Sequence, residues 1–442
     1  MKLAVKFFMS TAILLCISFC GHSQILKSIG NRIKQKAEQR ADSKVDQTID
    51  KGLDKTEDAG KKKDSSLKTD SNKSTNQAET GNQNKTIGAT EQVAFETYSK
   101  FDFIPGDKVI AYDDFSQDAI GDFPVNWNTN SSGEVVSSSI QAGHWLMIKK
   151  QGRFIPEYLK SLPDNFTFEY DVICNEKYSF YSPALSLFFL TGNNGKEVFD
   201  YSFIPIEKRS GVRIGVHPTD AGARGGTTNT ESFEDGASLM KNEVTTSQFN
   251  SYAGKIKMHV SVWRQKQRLR VYLNEEKAFD LPRAFPANKS YSTVLFEIWG
   301  NMNNDIDRYL IGNIKFSAGA PDTRNKLITE GKFVTRGILF DVNSDKIKPE
   351  SFGTLKDIAG VLTENPSVKV NIVGHTDADG KDADNLILSK RRAESVKANL
   401  VKNFGIDASR LETDGKGASQ PVDKNTTPEG KANNRRVEFI KL

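Results

Sequence analysis

From about Phe101 to Phe316 the chain alternates. Phe166, Phe168, Tyr170 and Val172 are separated by Thr167, Glu169 and Asp171; Ile256, Met258, Val260 and Val262 are separated by Lys257, His259 and Ser261. Leu269, Val271 and Leu273 follow, and Asn274-Glu275-Glu276-Lys277 turns the chain into Ala278-Phe279-Asp280-Leu281. Successive side chains of a strand point to opposite faces, so a period of two gives each segment one apolar face. Short runs of this kind, punctuated by Gly, Asn, Asp and Pro and with no helical stretch between them, predict an all-β antiparallel sandwich of jelly-roll type over residues 101–318.

Beyond the short linker Ala318–Thr323 the period changes. Gly337-Ile338-Leu339-Phe340 reads as a strand. Pro349 opens a helix carrying Phe352, Leu355, Ile358 and Leu362, which ends near Asn365-Pro366. Val368, Val370 and Ile372 form a second strand, and a second helix carries Leu388, Val396, Leu400 and Phe404 up to Gly405. Leu411 and Thr413 start a further strand, and Val437–Leu442 is the last. This β-α-β-α-β order predicts a small α/β domain over residues 328–442.

The chain begins differently. Lys2 and Lys6 precede an apolar run from Phe7 to Phe19, and Gly21 and Ser23 supply small residues before a cleavage point. That order is a secretory signal peptide, residues 1–23. A membrane span needs about 20 apolar residues, and this run is shorter. Ile17-Ser18-Phe19-Cys20 approaches a lipidation signal, but bulky Phe19 stands where a small residue is wanted, so cleavage after Ser23 is favoured and lipidation of Cys20 is left open. Residues 24–60 read as a charged helix with Ile25, Ile29, Ile33, Ala37, Ala41, Val45, Ile49 and Leu53 every fourth residue. So thin a stripe suits a coiled-coil seam, a surface-lying helix or a merely solvated one. Residues 61–98 are Ser, Thr, Asn, Gln, Lys and Gly with almost no large apolar side chain, too few to offset ordering entropy, and read as a disordered linker.

Length agrees with several domains, since 442 residues exceed one core. The balance of 61 Lys+Arg against 56 Asp+Glu leaves only +5. That gives no case for nucleic acid, while basic patches suit an anionic wall or membrane surface. If Cys16 and Cys20 leave with the signal, Cys174 alone remains and no internal disulfide can close, so an exported protein must be held by packing.

Candidate chemistry concentrates in Gly374-His375-Thr376-Asp377, Asn385, Leu388-Ser389, Arg392-Ala393 and Asn434-Arg435-Arg436. Asp377 lies just past a strand end, where loops carry function. Leu388, Arg392, Val396 and Leu400 are four apart and share one helix face. A guanidinium in an apolar row is partly buried and needs an anion beside it. Asp377 is either that partner, in a salt bridge that pins loop to helix, or the two jointly receive a ligand bearing both charges. A zwitterionic amino-acid end fits the second arrangement, its carboxylate on the Arg fork and its ammonium on the Asp.

These blocks carry a resemblance. From Phe340 to Leu442 the chain resembles the C-terminal domain shared by OmpA, the peptidoglycan-associated lipoprotein and flagellar stator proteins, with Gly-His-Thr-Asp, Asn-x-x-Leu-Ser-x-x-Arg-Ala and Asn-Arg-Arg-Val-Glu in order and spacing. The resemblance implies binding of the diaminopimelate side chain of peptidoglycan, with Asp377 and Arg392 as main ligand residues. It puts supporting contacts on Thr376, Asn385, Leu388 and Arg436. The acidic loop Asp379-Gly380-Lys381-Asp382-Ala383-Asp384 departs from the pattern and would reshape the pocket entrance.

Other chemistries fit less well. Aligned as an EF-hand, the acidic loop puts His375 at position one and Leu386 at position twelve, where carboxylates are required, so no metal site is expected. The sandwich resembles laminin-G/concanavalin-like jelly rolls in Phe154-Ile155-Pro156-Glu157, Leu162-Pro163-Asp164-Asn165-Phe166 and Val271-Tyr272-Leu273-Asn274. Some concanavalin-like sandwiches are glycosidases with two glutamates and an aspartate along one strand. Glu169 and Asp171 share the non-core face here, but Ile173 and Cys174 stand where the second Glu would be, leaving the acid/base pair incomplete. His144, His217 and His259 lack zinc spacing, and no Ser or Cys nucleophile motif occurs. Trp127, Trp145, Trp263 and Trp299 read mainly as core. The expectation is an exported, non-catalytic envelope protein of a Gram-negative bacterium, in the periplasm or at the wall or outer membrane, without cofactor. Its sandwich presents a surface for a glycan or protein ligand. The alternative is a polysaccharide-active or carbohydrate-binding sandwich anchored to the wall by the C-terminal domain.

Overall fold

The computed structural model describes residues 101–192, 196–199, 208–303, 306–319 and 322–442. The expected signal peptide, charged helix and linker lie outside them. The described residues all fall within one compact unit, Ile87–Leu442.

Alternation builds two antiparallel sheets that face each other. The first runs in the order β13 (Glu276–Leu281), β12 (Arg268–Leu273), β11 (Lys257–Gln265), β6 (Asn165–Cys174), β15 (Tyr309–Ala318), β4 (His144–Ile148) and β3 (Gly133–Ser137), and β1 (Lys108–Asp113) also pairs with β15. The second runs β10 (Ala237–Thr246), β9 (Gly226–Glu234), β8 (Gly211–His217), β7 (Leu185–Thr191), β14 (Tyr291–Ile298), β5 (Gly152–Pro156) and β2 (Trp127–Thr129). Phe166, Phe168, Tyr170 and Val172 of β6 are fully buried between the sheets. The Phe166 ring lies 5.2 Å from Phe189, and Tyr170 meets Phe296 edge-on at 5.1 Å. Burying side chains of this size contributes about 1.5–3 kcal/mol each, which is how the core holds together with Cys174 as a free thiol.

The α/β domain has a four-stranded sheet in the order β16 (Lys332–Thr335), β19 (Val437–Lys441), β17 (Val370–His375) and β18 (Leu411–Gly417), in which β17 and β18 are parallel. Its helices are α1 (Phe352–Glu364), α2 (Asp382–Phe404) and α3 (Pro428–Asn434). Gly405 ends α2 in the left-handed conformation that favours glycine.

Two elements differ from the sequence reading. Gly337–Phe340 is not a strand: pairing falls on Lys332–Thr335, and Phe340 makes only an isolated bridge to Ile347. Gly337 lies against Pro105 and Thr354 so closely that a Cβ would come within 2.3 Å of the Thr354 hydroxyl. Leu339 gives its N–H to the Ser351 hydroxyl instead of a neighbouring strand. Helix α3 went unread. It starts at Pro428 with the Thr427 hydroxyl accepting from the Gly430 N–H, a cap visible only once the helix is known.

The sandwich and the α/β domain meet through a built joint. Residues 101–106 lie over the outer face of the first sheet, where Phe101 and Phe103 pack on Trp263 and Tyr272. The start of α1 closes on this strap, and a Cβ at Gly353 would sit 2.2 Å from the Phe103 carbonyl oxygen. Beside it, the Asn433 side chain of α3 accepts from the Val109 N–H at 3.1 Å and donates to the Val109 carbonyl at 2.9 Å, both bonds buried. Arg336 donates to the carbonyls of Asp107 and Asn433, and Lys326 pairs with Asp107 at 2.6 Å.

Replacing Asn433 with Ala leaves a buried donor and a buried acceptor of Val109 without partners. At about 1–3 kcal/mol for each orphaned group, we expect unfolding free energy to fall by at least about 2 kcal/mol. Urea titration followed by tryptophan fluorescence measures this, and an unchanged midpoint would mean the joint adds no stability.

Candidate functional site

The site begins with three glycines that let α2 lie against the sheet. A Cβ at Gly374 would be 2.2 Å from the Ser389 carbonyl oxygen, and one at Gly415 would be 2.4 Å from the Lys390 nitrogen. Gly417 has a positive φ of 51°, and a Cβ there would be 2.9 Å from the Leu386 nitrogen. Its N–H donates to the Ser389 hydroxyl at 2.9 Å. Backbone against backbone leaves α2 no room to slide, so Arg392, one turn beyond Ser389, has a fixed position.

The helical column behaves as its spacing predicts: Val396 and Leu400 are buried, while Leu388 and Arg392 are half-buried. The Arg392 guanidinium lies 4.8 Å over the Phe340 ring and donates from Nε to the Ser344 carbonyl at 2.9 Å and from Nη2 to the Asp341 carbonyl at 3.5 Å. Burial lowers its pKa, and the nearby Asp377 charge partly offsets this. Asp377, on the loop after β17, contacts another arginine: its Oδ2 accepts from Arg435 Nη1 at 2.5 Å. Of the two arrangements left open by sequence, a direct Asp377–Arg392 bridge is not the one formed. Arg392 feels Asp377 through space and keeps no carboxylate within salt-bridge distance among the described residues.

Thr376 is buried, its N–H donating to the Gly417 carbonyl at 3.0 Å and its hydroxyl without a partner among the described residues. Asn385 is buried and ties the loop, donating to the carbonyls of Asp379 at 2.9 Å and Asp377 at 3.4 Å. Arg436 is engaged within the domain, donating to Glu438 at 2.8 Å and to the carbonyls of Asn434 and Gln420. Arg435 is the residue that sequence reasoning passed over. The signal was present, because two consecutive arginines leading into a strand diverge, and only one of them can turn to Asp377.

Arg392, Arg435, Arg436 and His375 line one wall of a cleft of about 600 Å³, whose opposite wall is the outer face of the first sheet. His375 is buried, and among the described residues neither ring nitrogen has a hydrogen-bond partner; Glu438 lies 3.6 Å from Nε2. Burial alone would raise the Glu438 pKa, but His375, Lys332 and Arg436 hold it well below the usual carboxylate range. On the sheet wall, register sets the chemistry: His259 of β11 stands opposite Asp171 of β6, and Lys315 of β15 opposite Glu169. His259 Nδ1 meets Asp171 at 2.6 Å, and Lys315 meets Glu169 at 2.9 Å. The β6–β15 register shifts between Gly312 and Lys315, and Asn313 takes a positive φ of 50° that brings its amide 2.8 Å from Asp171. Burial would raise the Asp171 pKa, yet His259 and Asn313 bring it down to about 2. Burial would lower the His259 pKa, yet Asp171 and Glu169 raise it to about 10.

Comparison with known proteins places the domain. Residues 339–435 match the OmpA family model, so the chain carries an OmpA family domain there. The chain is 41% identical to the probable lipoprotein YiaD of Escherichia coli over 127 residues, 26% of this chain and 58% of that protein. It is 42% identical to outer membrane porin F of Pseudomonas aeruginosa over 101 residues, 23% of this chain and 29% of that one. It therefore spans less than two thirds of either relative, and the likeness is to a domain. Among solved structures, the peptidoglycan-associated lipoprotein of Burkholderia pseudomallei matches at 25% identity over 27% of this chain and 98% of that chain, with a TM-score of 0.24. The expected envelope location agrees with relatives named as outer-membrane proteins and lipoproteins. No described helix is long and apolar enough to cross a membrane.

The sheet-wall network makes stability depend on pH in two directions. His259 binds its proton more tightly when folded, so its contribution is complete below about pH 6.5 and is lost as pH rises through about 10. Asp171 is the reverse: its contribution is complete above about pH 3.8 and is lost as pH falls through about 2. Urea unfolding at pH 6 and pH 10 should show a larger loss for the wild type than for His259→Gln. Equal losses would mean the ring carries no extra proton.

Proposed function

We propose that this chain is a non-catalytic cell-envelope protein that binds peptidoglycan through a diaminopimelate pocket on its OmpA family domain and presents the β-sandwich to a further ligand. The carrying observation is Arg392: a half-buried guanidinium fixed by α2, hydrogen-bonded to carbonyls alone, with the Asp377 carboxylate nearby on a separate loop. A zwitterion supplies what this arrangement lacks, a carboxylate for the Arg fork, and its ammonium finds Asp377. Arg435 holds the Asp377 carboxylate in place until the ligand's ammonium shares it. Thr376 keeps a buried hydroxyl that a ligand would reach only by displacing its cover, Asn385 shapes the loop, Leu388 borders the aliphatic stem, and Arg436 braces the sheet behind. The names of the relatives, an outer-membrane porin and a lipoprotein, and a peptidoglycan-associated lipoprotein among the solved structures, are in keeping with this partner.

In this reading residues 1–23 direct export, 101–318 form the sandwich and 328–442 the wall-binding domain. One amino-acid end gives modest affinity, and the many copies in a wall make retention firm. A polysaccharide-cleaving sandwich would need one carboxyl group kept protonated to serve as acid. Glu169 and Asp171 are both held ionised by His259 and Lys315, which supports binding without catalysis.

Asp377→Ala and Arg392→Ala should each abolish co-sedimentation of the full chain with purified sacculi while leaving its circular dichroism unchanged. Pull-down at the wild-type level by both variants would overturn the assignment.

A further inference from the structure

The cleft is larger and more positive than one zwitterion needs. About 600 Å³ is room for a ligand well beyond a single amino-acid end. Seven lysines and arginines line it against three carboxylates. Much of that charge is matched: Arg435 by Asp377, Arg436 by Glu438, and Lys315 and His259 by Glu169 and Asp171. Arg336 donates to two carbonyls at the joint, and the Asp107, Asp423 and Glu438 carboxylates act on its charge. Besides Arg392, this leaves Lys257 on β11 and Lys348 ahead of α1, one from each domain. Among the described residues neither ammonium has a hydrogen-bond or ion-pair partner. Glu350 is the lining carboxylate outside the network. A diaminopimelate end brings no net charge, so it cannot balance these cations.

The sheet wall is also built. Glu169 and Asp171 are 4% and 8% exposed although they point away from the sandwich core, and three adjacent strands hold them in one network. A register shift and a left-handed Asn313 re-aim the wall at this spot, where backbone strain is tolerated because the surroundings fix it. Across from it, the His375 side chain is fully buried behind the wall, its Nε2 3.6 Å from Glu438, and Arg392 and Arg435 line the cavity in front. Neither wall is a passing contact between domains, because the strap, the Asn433 clamp and Arg336 hold them apart at a set width.

Resting on the diaminopimelate reading above, we propose that the cleft is one peptide-binding site shared by both domains. The sandwich forms its second wall, and Lys257 and Lys348 take a carboxylate on the stem-peptide residue next to the diaminopimelate. The sandwich thus selects which form of the peptide is held: a free acid at that residue binds, and its amide loses the ion pairs.

Titration calorimetry of the full chain tests this with two soluble probes, alanyl-γ-glutamyl-diaminopimelate and the same tripeptide with the glutamyl α-carboxylate amidated. The diaminopimelate end is identical in both. The wild type should bind the acid about tenfold more tightly than the amide, and Lys257→Gln and Lys348→Gln should each remove most of that preference while binding the amide as the wild type does. Among the described residues neither ammonium makes a hydrogen bond or ion pair, so each substitution removes a charge (that of Lys257 also acts on Asp171) and no bond that the fold needs. A wild type that does not distinguish the probes, or variants that keep its preference, would overturn the shared site and leave the diaminopimelate reading standing. Binding of both probes untouched by Asp377→Ala and Arg392→Ala would overturn that reading and this proposal with it.

Discussion

The cleft exists because one amide is bonded twice. Asn433 closes both hydrogen-bonding groups of Val109, and in doing so it welds a helix of the α/β domain to the edge strand of the sandwich. Without such a weld two domains joined by a short linker move freely, as modest interfaces between domains generally allow. The strap at residues 101–106 adds apolar area on the same side, and Gly353 admits it because no side chain intervenes. Position of the cleft walls is therefore a property of backbone contacts, which are stiffer than contacts between long side chains.

Charge in the cleft follows from that stiffness. Buried ions cost several kcal/mol each unless paired with good geometry. Strand register places His259 against Asp171 and Lys315 against Glu169, so the pairing is fixed when the sheet forms. On the other wall the close approach of α2 at Gly374 and Gly415 sets Arg392 in the same way. Arg392 differs because its partners are carbonyls, which leave its positive charge uncancelled. An arginine held ready and unneutralised would lose little side-chain entropy on binding a carboxylate of the kind proposed.

Several of these features could be read directly. Arg392 in a column with Val396 and Leu400 announced a half-buried guanidinium, because helical spacing alone decides which residues share a face. Asp377 was legible as a loop residue at a strand tip, since β17 ends at His375. Gly405 marked the end of α2. Less was legible where distant segments compete for the same backbone. Gly337–Phe340 has the composition of a strand, yet Pro105 and Thr354 press on Gly337 and its neighbours bond elsewhere. Helix α3 is short and polar, and it forms where Thr427 caps it and Val109 receives it.

By itself the sequence determined the face of each strand and helix, the sandwich and the α/β domain, and the residue types that a zwitterion would need, because those depend on periodicities of a few residues. Tertiary structure alone decided that Asp377 contacts Arg435 instead of Arg392, that Arg436 turns inward to Glu438, and that Glu169 and Asp171 look across a cleft at the candidate site. Such choices rest on distances between residues tens to hundreds of positions apart. No local pattern encodes these, because they arise only when packed backbones leave a charged group one partner within reach.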